Sequence, residues 1–206
     1  MQRILLTSNG LENKALESLF VEQLEKPAEK ARVIFVPTAA NNDDAREVLP
    51  KCMRDLNNAG ILPQNIFIYH LGYIMSKDRP GAYIAEQAAI PPIFRLLSPD
   101  EMKQYDAIYF CGGNTAHLLD ELNRTGFCDT VKQAVENGLL YIGVSAGSIV
   151  AAKNLPNNLG CLNSTLSVHT QTGIAKGVFD NNKVSHIDLK DNSAILIIDG
   201  RYEVIE

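Results

Sequence analysis

Long apolar stretches are missing from this 206-residue chain. None approaches the roughly 20 residues that a membrane-spanning helix needs, so no membrane partner is expected. Positive charge is also short. Nineteen Lys and Arg stand against 24 Asp and Glu, a net charge of −5, which argues against a phosphate-binding surface and hence against nucleic acid. Cysteine is sparse and scattered: Cys52, Cys111, Cys128 and Cys161 form no close pair and no C-x-x-C. That excludes a small disulfide scaffold and a zinc pattern, and predicts reduced, mostly buried thiols in a cytoplasmic protein. No metal or cofactor constellation is present, and none is expected. The apolar part of the first eight residues is too short for a signal peptide and has no processing site, so it reads as a first strand. No repeat, low-complexity tract or linker divides the chain, which reads as one domain over 1–206.

What is present is an ordinary globular composition, 46% hydrophobic and 21% charged, with short apolar runs alternating with amphipathic ones. Strands are predicted at 3–7, 31–37, 65–70, 106–111 and 139–144. Most are apolar throughout, as strands covered on both faces are. Helices are predicted at 11–24, 43–59, 115–124 and 128–137, the third with Leu118, Leu119 and Leu122 on one stripe and Gly126 as its stop. The alternation calls for an α/β fold with a doubly wound, mostly parallel sheet and helices on both faces. Five prolines and glycines between Gly72 and Asp100 mark an insertion at about 72–100 with one short helix, packed on the surface or over the site. After Pro156 come turns and short β runs at 184–189, 194–199 and 202–205, the last two joined by an Asp199-Gly200 hairpin turn.

Gly143-Val144-Ser145-Ala146-Gly147 follows a predicted strand and precedes a predicted helix. Gly-x-Ser-x-Gly in that setting is a nucleophile elbow. A serine at the apex of so sharp a turn is strained, and side chains two residues before and after it would collide, which glycine avoids. The following helix aims its N-terminus at the serine, so the N–H of Ala146 is placed to stabilise an oxyanion. A second strand–turn–helix, Cys111-Gly112-Gly113-Asn114-Thr115, lies upstream. Adjacent parallel strands bring both turns to one sheet edge. There Gly113 can supply a second oxyanion N–H, and Asn114 or Thr115 can cap the helix or meet substrate. The same residues would also serve a turn that merely binds an anion.

A serine nucleophile needs an imidazole, and the imidazole needs an orienting acid. Four histidines are available. His70 ends a strand before the insertion, His117 lies among leucines on a helix, and His186 falls on the solvated face of a strand. His169 ends the short run Leu166-Ser167-Val168 and opens a polar loop, which favours it modestly. The stretch 148–168 contains no Asp or Glu, so the Ser…acid…His order of the common α/β-hydrolases is excluded. The acid must lie upstream or among Asp180, Asp188, Asp191 and Asp199.

Phe110-Cys111-Gly112-Gly113-Asn114-Thr115, followed 31 residues after the Asn by Ser145 in its elbow, resembles the dipeptidase E family of serine peptidases, which includes aspartyl dipeptidases and cyanophycinases. The strand ending in Thr7-Ser8, the run Val33–Ala39, Leu118–Leu122 and Ala194-Ile195-Leu196-Ile197 resemble the family as well. The resemblance covers most of the chain outside about 72–100. It implies a fold related to class I glutamine amidotransferases and acyl transfer from a short peptide; the oligomeric state, monomer or homodimer, is left open by the sequence. By position it implies Ser145 as nucleophile, His169 as base, Asp191 as the third member, and Gly113 and Ala146 as the oxyanion hole. Family dipeptidases carry a longer, Arg-containing segment between base and acid that helps to recognise an acidic side chain. Here 21 residues separate His169 from Asp191, no helix is predicted there, and Lys176 is the only cation before Lys183. Arg79 or Arg95 of the insertion could line the pocket instead. Two other readings stand beside a serine hydrolase. One is a catalytically silent, amidotransferase-like binding module; the other is a glutamine amidotransferase, disfavoured because position 145 is not cysteine. Should His169 or Asp191 fail as partners, His186 or Asp188 come next.

Overall fold

The computed structural model describes the whole chain except Asp44 and residues 79–89, 174–176 and 181–183; of 177–180 it describes the backbone. Five parallel strands form the centre of the sheet: β1 (Arg3–Thr7), β2 (Val33–Val36), β3 (Ile66–Ile68), β4 (Ala107–Phe110) and β5 (Leu140–Val144). Every residue of β1, β2, β4 and β5 is buried. Successive side chains of a strand point to opposite faces, so both faces must be covered, as the continuous apolarity predicts. The covering helices include α1 (Lys14–Gln23), α2 (Ala45–Asn58), α3 (Pro99–Met102), α4 (Thr115–Thr125) and α5 (Phe127–Glu136). Leu118, Leu119 and Leu122 of α4 are buried, and Gly126 ends it in the left-handed conformation at φ +79°. The core is one contiguous hydrophobic cluster drawn from both termini and from β1, β2, β4 and β5, with Ile66 and Phe67 of β3 packed against it.

The sheet order is β3-β2-β4-β5-β1, continued by β9 (Ala194–Ile198), β10 (Arg201–Ile205) and β7 (Gly177–Asp180). The last three run antiparallel to their neighbours. The Asp199-Gly200 turn has both φ values positive, +47° and +82°, the backbone that a tight hairpin requires. A separate parallel pair joins β6 (Thr165–Ser167) to β8 (His186–Asp188). Neither β6 nor β7 was expected as a strand. Both are short, and their partners lie far along the chain, so local periodicity carries little of their signal. The described part of the insertion holds two single-turn helical segments, at Leu71–Tyr73 and Pro92–Phe94, with α3 at its end.

This order explains where a site can form. β5 lies between β4 and β1, so the loops leaving their carboxyl ends converge on one edge, where open α/β sheets place their ligands. Because β9 is antiparallel to β1 and pairs Ala194 with Thr7, the loop entering β9 reaches that edge too. In the β6–β8 pair Ser167 lies opposite Asp188. The chain therefore leaves both strands side by side, carrying His169 and Asp191.

Candidate active site

Ser145 occupies the turn between β5 and a single-turn helix, α6 (Ala146–Ile149), with φ +49° and ψ −105°. An L-residue held there costs on the order of 1–3 kcal/mol and must be over-determined by its surroundings. The surroundings are visible. Ser145 N–H donates to Thr7 O at 3.0 Å. The fully buried Ser148 hydroxyl lies 2.8 Å from Thr7 O and 2.7 Å from Gly143 O, bolting the turn to β1. A Cβ on Gly143 would lie 2.6 Å from the carbonyl of Gly147, the collision expected across an elbow. One on Gly147 would instead strike Phe110 of the neighbouring strand at 2.6 Å. α6 is only four residues long, so its dipole adds little. Ser148 and Ile149 donate their N–H groups to Ser145 O, whereas the N–H of Ala146, at the first helical position, has no intrahelical acceptor and is the feature that matters.

His169 approaches from the β6 side. Its Nε2 lies 3.1 Å from Ser145 Oγ, and its Nδ1 lies 2.6 Å from Asp191 Oδ1. The structure thus brings together the three residues that the resemblance singles out. The other histidines are elsewhere. His70 Nδ1 accepts the Gly72 N–H, and burial lowers its basicity below the ordinary histidine range. His117 lies in the first turn of α4. His186 is engaged by Thr165 of β6 at 2.7 Å and by Asp188 of its own strand at 3.1 Å.

Gly113, in the loop after β4, lines the same cleft as Ser145 and has φ +133°. A Cβ there would come within 2.3 Å of Ala39 O, so the close approach to the β2 loop admits only glycine. Asn114 Oδ1 accepts the His117 N–H at 3.0 Å and caps α4. Asn114 therefore does cap the helix, and it also lines a cleft of about 580 Å³ beside Ser145 and His169. Thr115 does not line that cleft.

The cleft's far wall is α2, which contributes Glu47, Val48, Lys51 and Cys52. Lys51 is the cleft's cation, and it is already engaged: Nζ pairs with Glu12 at 2.7 Å and donates to Asn9 Oδ1 at 2.5 Å. Arg95 does not serve the pocket. Its guanidinium forks onto Glu101 at 2.6 and 2.9 Å and donates to the Ile90 and Leu96 carbonyls. Arg79, Lys176 and Lys183 lie outside the described residues. Below the cleft, Asp55 is buried and accepts the Leu11 N–H and the Tyr109 hydroxyl, and burial pushes its carboxyl above the usual range. Burial likewise raises the Cys52 thiol. All four cysteines are buried thiols outside any disulfide. Among the described residues no cluster of His, Cys, Asp and Glu is placed to hold a metal ion, and no helix is long and apolar enough to cross a membrane.

Several contributors escape a reading of the sequence by motif. Ser148 lies just past the pentapeptide, and Glu47 and Lys51 become cleft residues only once α2 packs beside β4. Ser8 and Asn13 reach the acid-bearing turn from the loop after β1: Ser8 Oγ donates to Asp191 Oδ1 at 3.2 Å, and Asn13 Nδ2 donates to Asn192 O at 3.1 Å. The signal that could have found Ser8 is topological, its place at the carboxyl end of a strand beside the elbow.

Residues 96–160 match the family described as Peptidase family S51. That segment includes the Gly112-Gly113 turn and the elbow, and stops before His169 and Asp191. An uncharacterized peptidase of Pasteurella multocida is 32% identical over 123 residues, 60% of this chain and 49% of that protein. An uncharacterized peptidase of Listeria innocua is 43% identical over 155 residues, 75% of this chain and 62% of its own length. A Peptidase E of Shewanella sp. (strain ANA-3) is 37% identical over 99 residues, 44% of this chain and 41% of the relative. The chain thus spans less than two thirds of each of these relatives. A crystal structure of a peptidase from an acI-B1 Actinobacterium superposes with a TM-score of 0.65 at 17% identity, covering 100% of this chain and 87% of the other. A Listeria monocytogenes EGD-e structure bearing the peptidase E name gives 0.68 at 20% identity, covering 100% and 98%. At those identities the likeness establishes the α/β fold.

Proposed function

We propose that this chain, a relative of peptidase family S51 and of the peptidase E proteins, is a serine peptidase that cleaves a short peptide through an acyl-enzyme on Ser145. The observation that carries the proposal is the Ser145–His169–Asp191 relay, with contacts of 3.1 and 2.6 Å beside an open cleft. His169 Nε2 takes the hydroxyl proton as Ser145 Oγ attacks the peptide carbonyl carbon. Asp191 holds the imidazole through Nδ1–H and stabilises its positive charge. The N–H groups of Gly113 and Ala146 receive the developing oxyanion. The imidazolium then passes its proton to the departing amine, and water, deprotonated by His169, releases the acid and restores Ser145. A silent binding module would have no use for an imidazole aligned between serine and carboxylate. Buried cysteines outside any disulfide fit the cytoplasmic setting that belongs to the same proposal.

The test is hydrolysis of a dipeptide library that includes Asp-X members, by wild type and Ser145→Ala. Turnover by the wild type that disappears in Ser145→Ala supports the reading. Equal turnover by both proteins contradicts it, as does none by either when a control peptidase turns over the same library.

A further inference from the structure

Asp191 carries a demanding role on an exposed turn. Its side chain is 55% exposed and that of His169 is 48% exposed. Burial therefore fixes neither group, and their alignment depends on specific hydrogen bonds. Among the described residues, one side chain touches both. Ser8, fully buried at the carboxyl end of β1, accepts the His169 backbone N–H at 2.7 Å and donates its hydroxyl proton to Asp191 Oδ1 at 3.2 Å. The donor and acceptor count closes, since one hydroxyl has one proton to give and lone pairs to receive. The first of these bonds holds His169 at φ +57°, a conformation that non-glycine residues adopt at a cost and only when the surroundings impose it. The second sets the carboxylate oxygen that His169 Nδ1 also uses. Ser8 is itself anchored, for its N–H donates to Ser193 O at 3.4 Å across the start of β9.

We infer that Ser8 is a positioning residue for the relay, locking the base and its acid to each other and to the sheet from the β1 side. This rests on the reading of Ser145 as a nucleophile activated by His169. Ser8 touches neither substrate nor the reacting atoms; it acts through His169 and Asp191. Losing its hydroxyl leaves the cleft and elbow in place and lets the imidazole and carboxylate drift, so the chemical step suffers and binding does not.

Inactivation by a fluorophosphonate probe separates the two quantities, with kinact reporting Ser145 activation and KI reporting probe binding. Ser8→Ala is expected to lower kinact about tenfold or more while KI stays within about twofold. In a His169→Ala background the same change should cost nothing further, because residues acting as one unit are not additive. A kinact equal to wild type in Ser8→Ala would overturn the assignment. So would a further loss in the double variant, which marks a merely structural hydroxyl. If Ser8→Ala does not fold, Ser8→Cys nearly keeps the volume and replaces the hydroxyl with a weak donor. A reduced kinact there supports the role, and an unchanged one contradicts it. Failure of the wild type itself to react would instead refute the serine-hydrolase reading.

Discussion

Gly113 and Ser145 show how narrowly single residues are specified at this sheet edge. A methyl group at 113 would lie 2.3 Å from Ala39 O at φ +133°. Gly113→Ala must therefore displace the loop that carries the proposed oxyanion donor. Its kcat is expected to fall about 100-fold or more, together with a lower melting temperature. A kcat within threefold of wild type would remove Gly113 from the oxyanion hole. His169→Ala and Asp191→Asn are each expected to cut kcat by about 1,000-fold or more with the fold retained, measured on the best dipeptide from the library. Near-wild-type rates in either would show that the 3.1 and 2.6 Å contacts are not the working relay. The serine was legible because its constraints are local: two glycines and a strand–helix junction. His169 and Asp191 were less so. Nothing in Val168-His169-Thr170 separates a base from a loop histidine, and the resemblance singled it out where the residues had favoured it only modestly.

At the scale of elements, the helix caps and strand runs were readable to within a few residues, because they are written in contiguous sequence. β1 was predicted and found at the same boundaries, and α4 begins at Thr115 and is capped by Asn114 as its sequence suggests. Replacing Asn114 with Ala removes the acceptor for the His117 N–H. It should cost about 1 kcal/mol, a fall of roughly 2–4 °C in melting temperature. Asn114→Ser, which keeps a capping oxygen, should recover most of that loss; equal melting of the two variants would show that the cap contributes little. What was not readable at this scale was pairing. β6 and β8 meet across some twenty residues of sequence, with Leu166 opposite Ile187. No periodicity in Thr165-Leu166-Ser167 announces a partner so far away. Yet this pair delivers His169 and Asp191 to the same place.

The whole molecule sets the site by strand order, and order cannot be derived from periodicity. A parallel sheet with β5 between β4 and β1, and an antiparallel β9 beside β1, gathers four loops from distant parts of the chain at one edge. The insertion contributes a different kind of feature, the Arg95–Glu101 clasp. Arg95 holds the Glu101 carboxyl from the usual 4.5 down to about 2. A carboxyl whose pKa is depressed by folding stabilises the fold above its ordinary pKa, and that contribution fades as pH falls from 4.5 towards 2. The melting-temperature gap between wild type and Arg95→Ala should therefore be widest above about pH 5 and shrink as pH falls towards 2; a gap that widens on acidification would contradict the clasp. The proposed chemistry depends on Ser145 being a reactive nucleophile in the native protein. Fluorophosphonate labelling of the intact chain, with the adduct mapped by peptide mass spectrometry, tests this most directly. A single adduct on Ser145 is expected, absent in Ser145→Ala and formed much more slowly in His169→Ala. An unlabelled native protein, under conditions where a control serine hydrolase reacts, or an adduct on another residue, would contradict it.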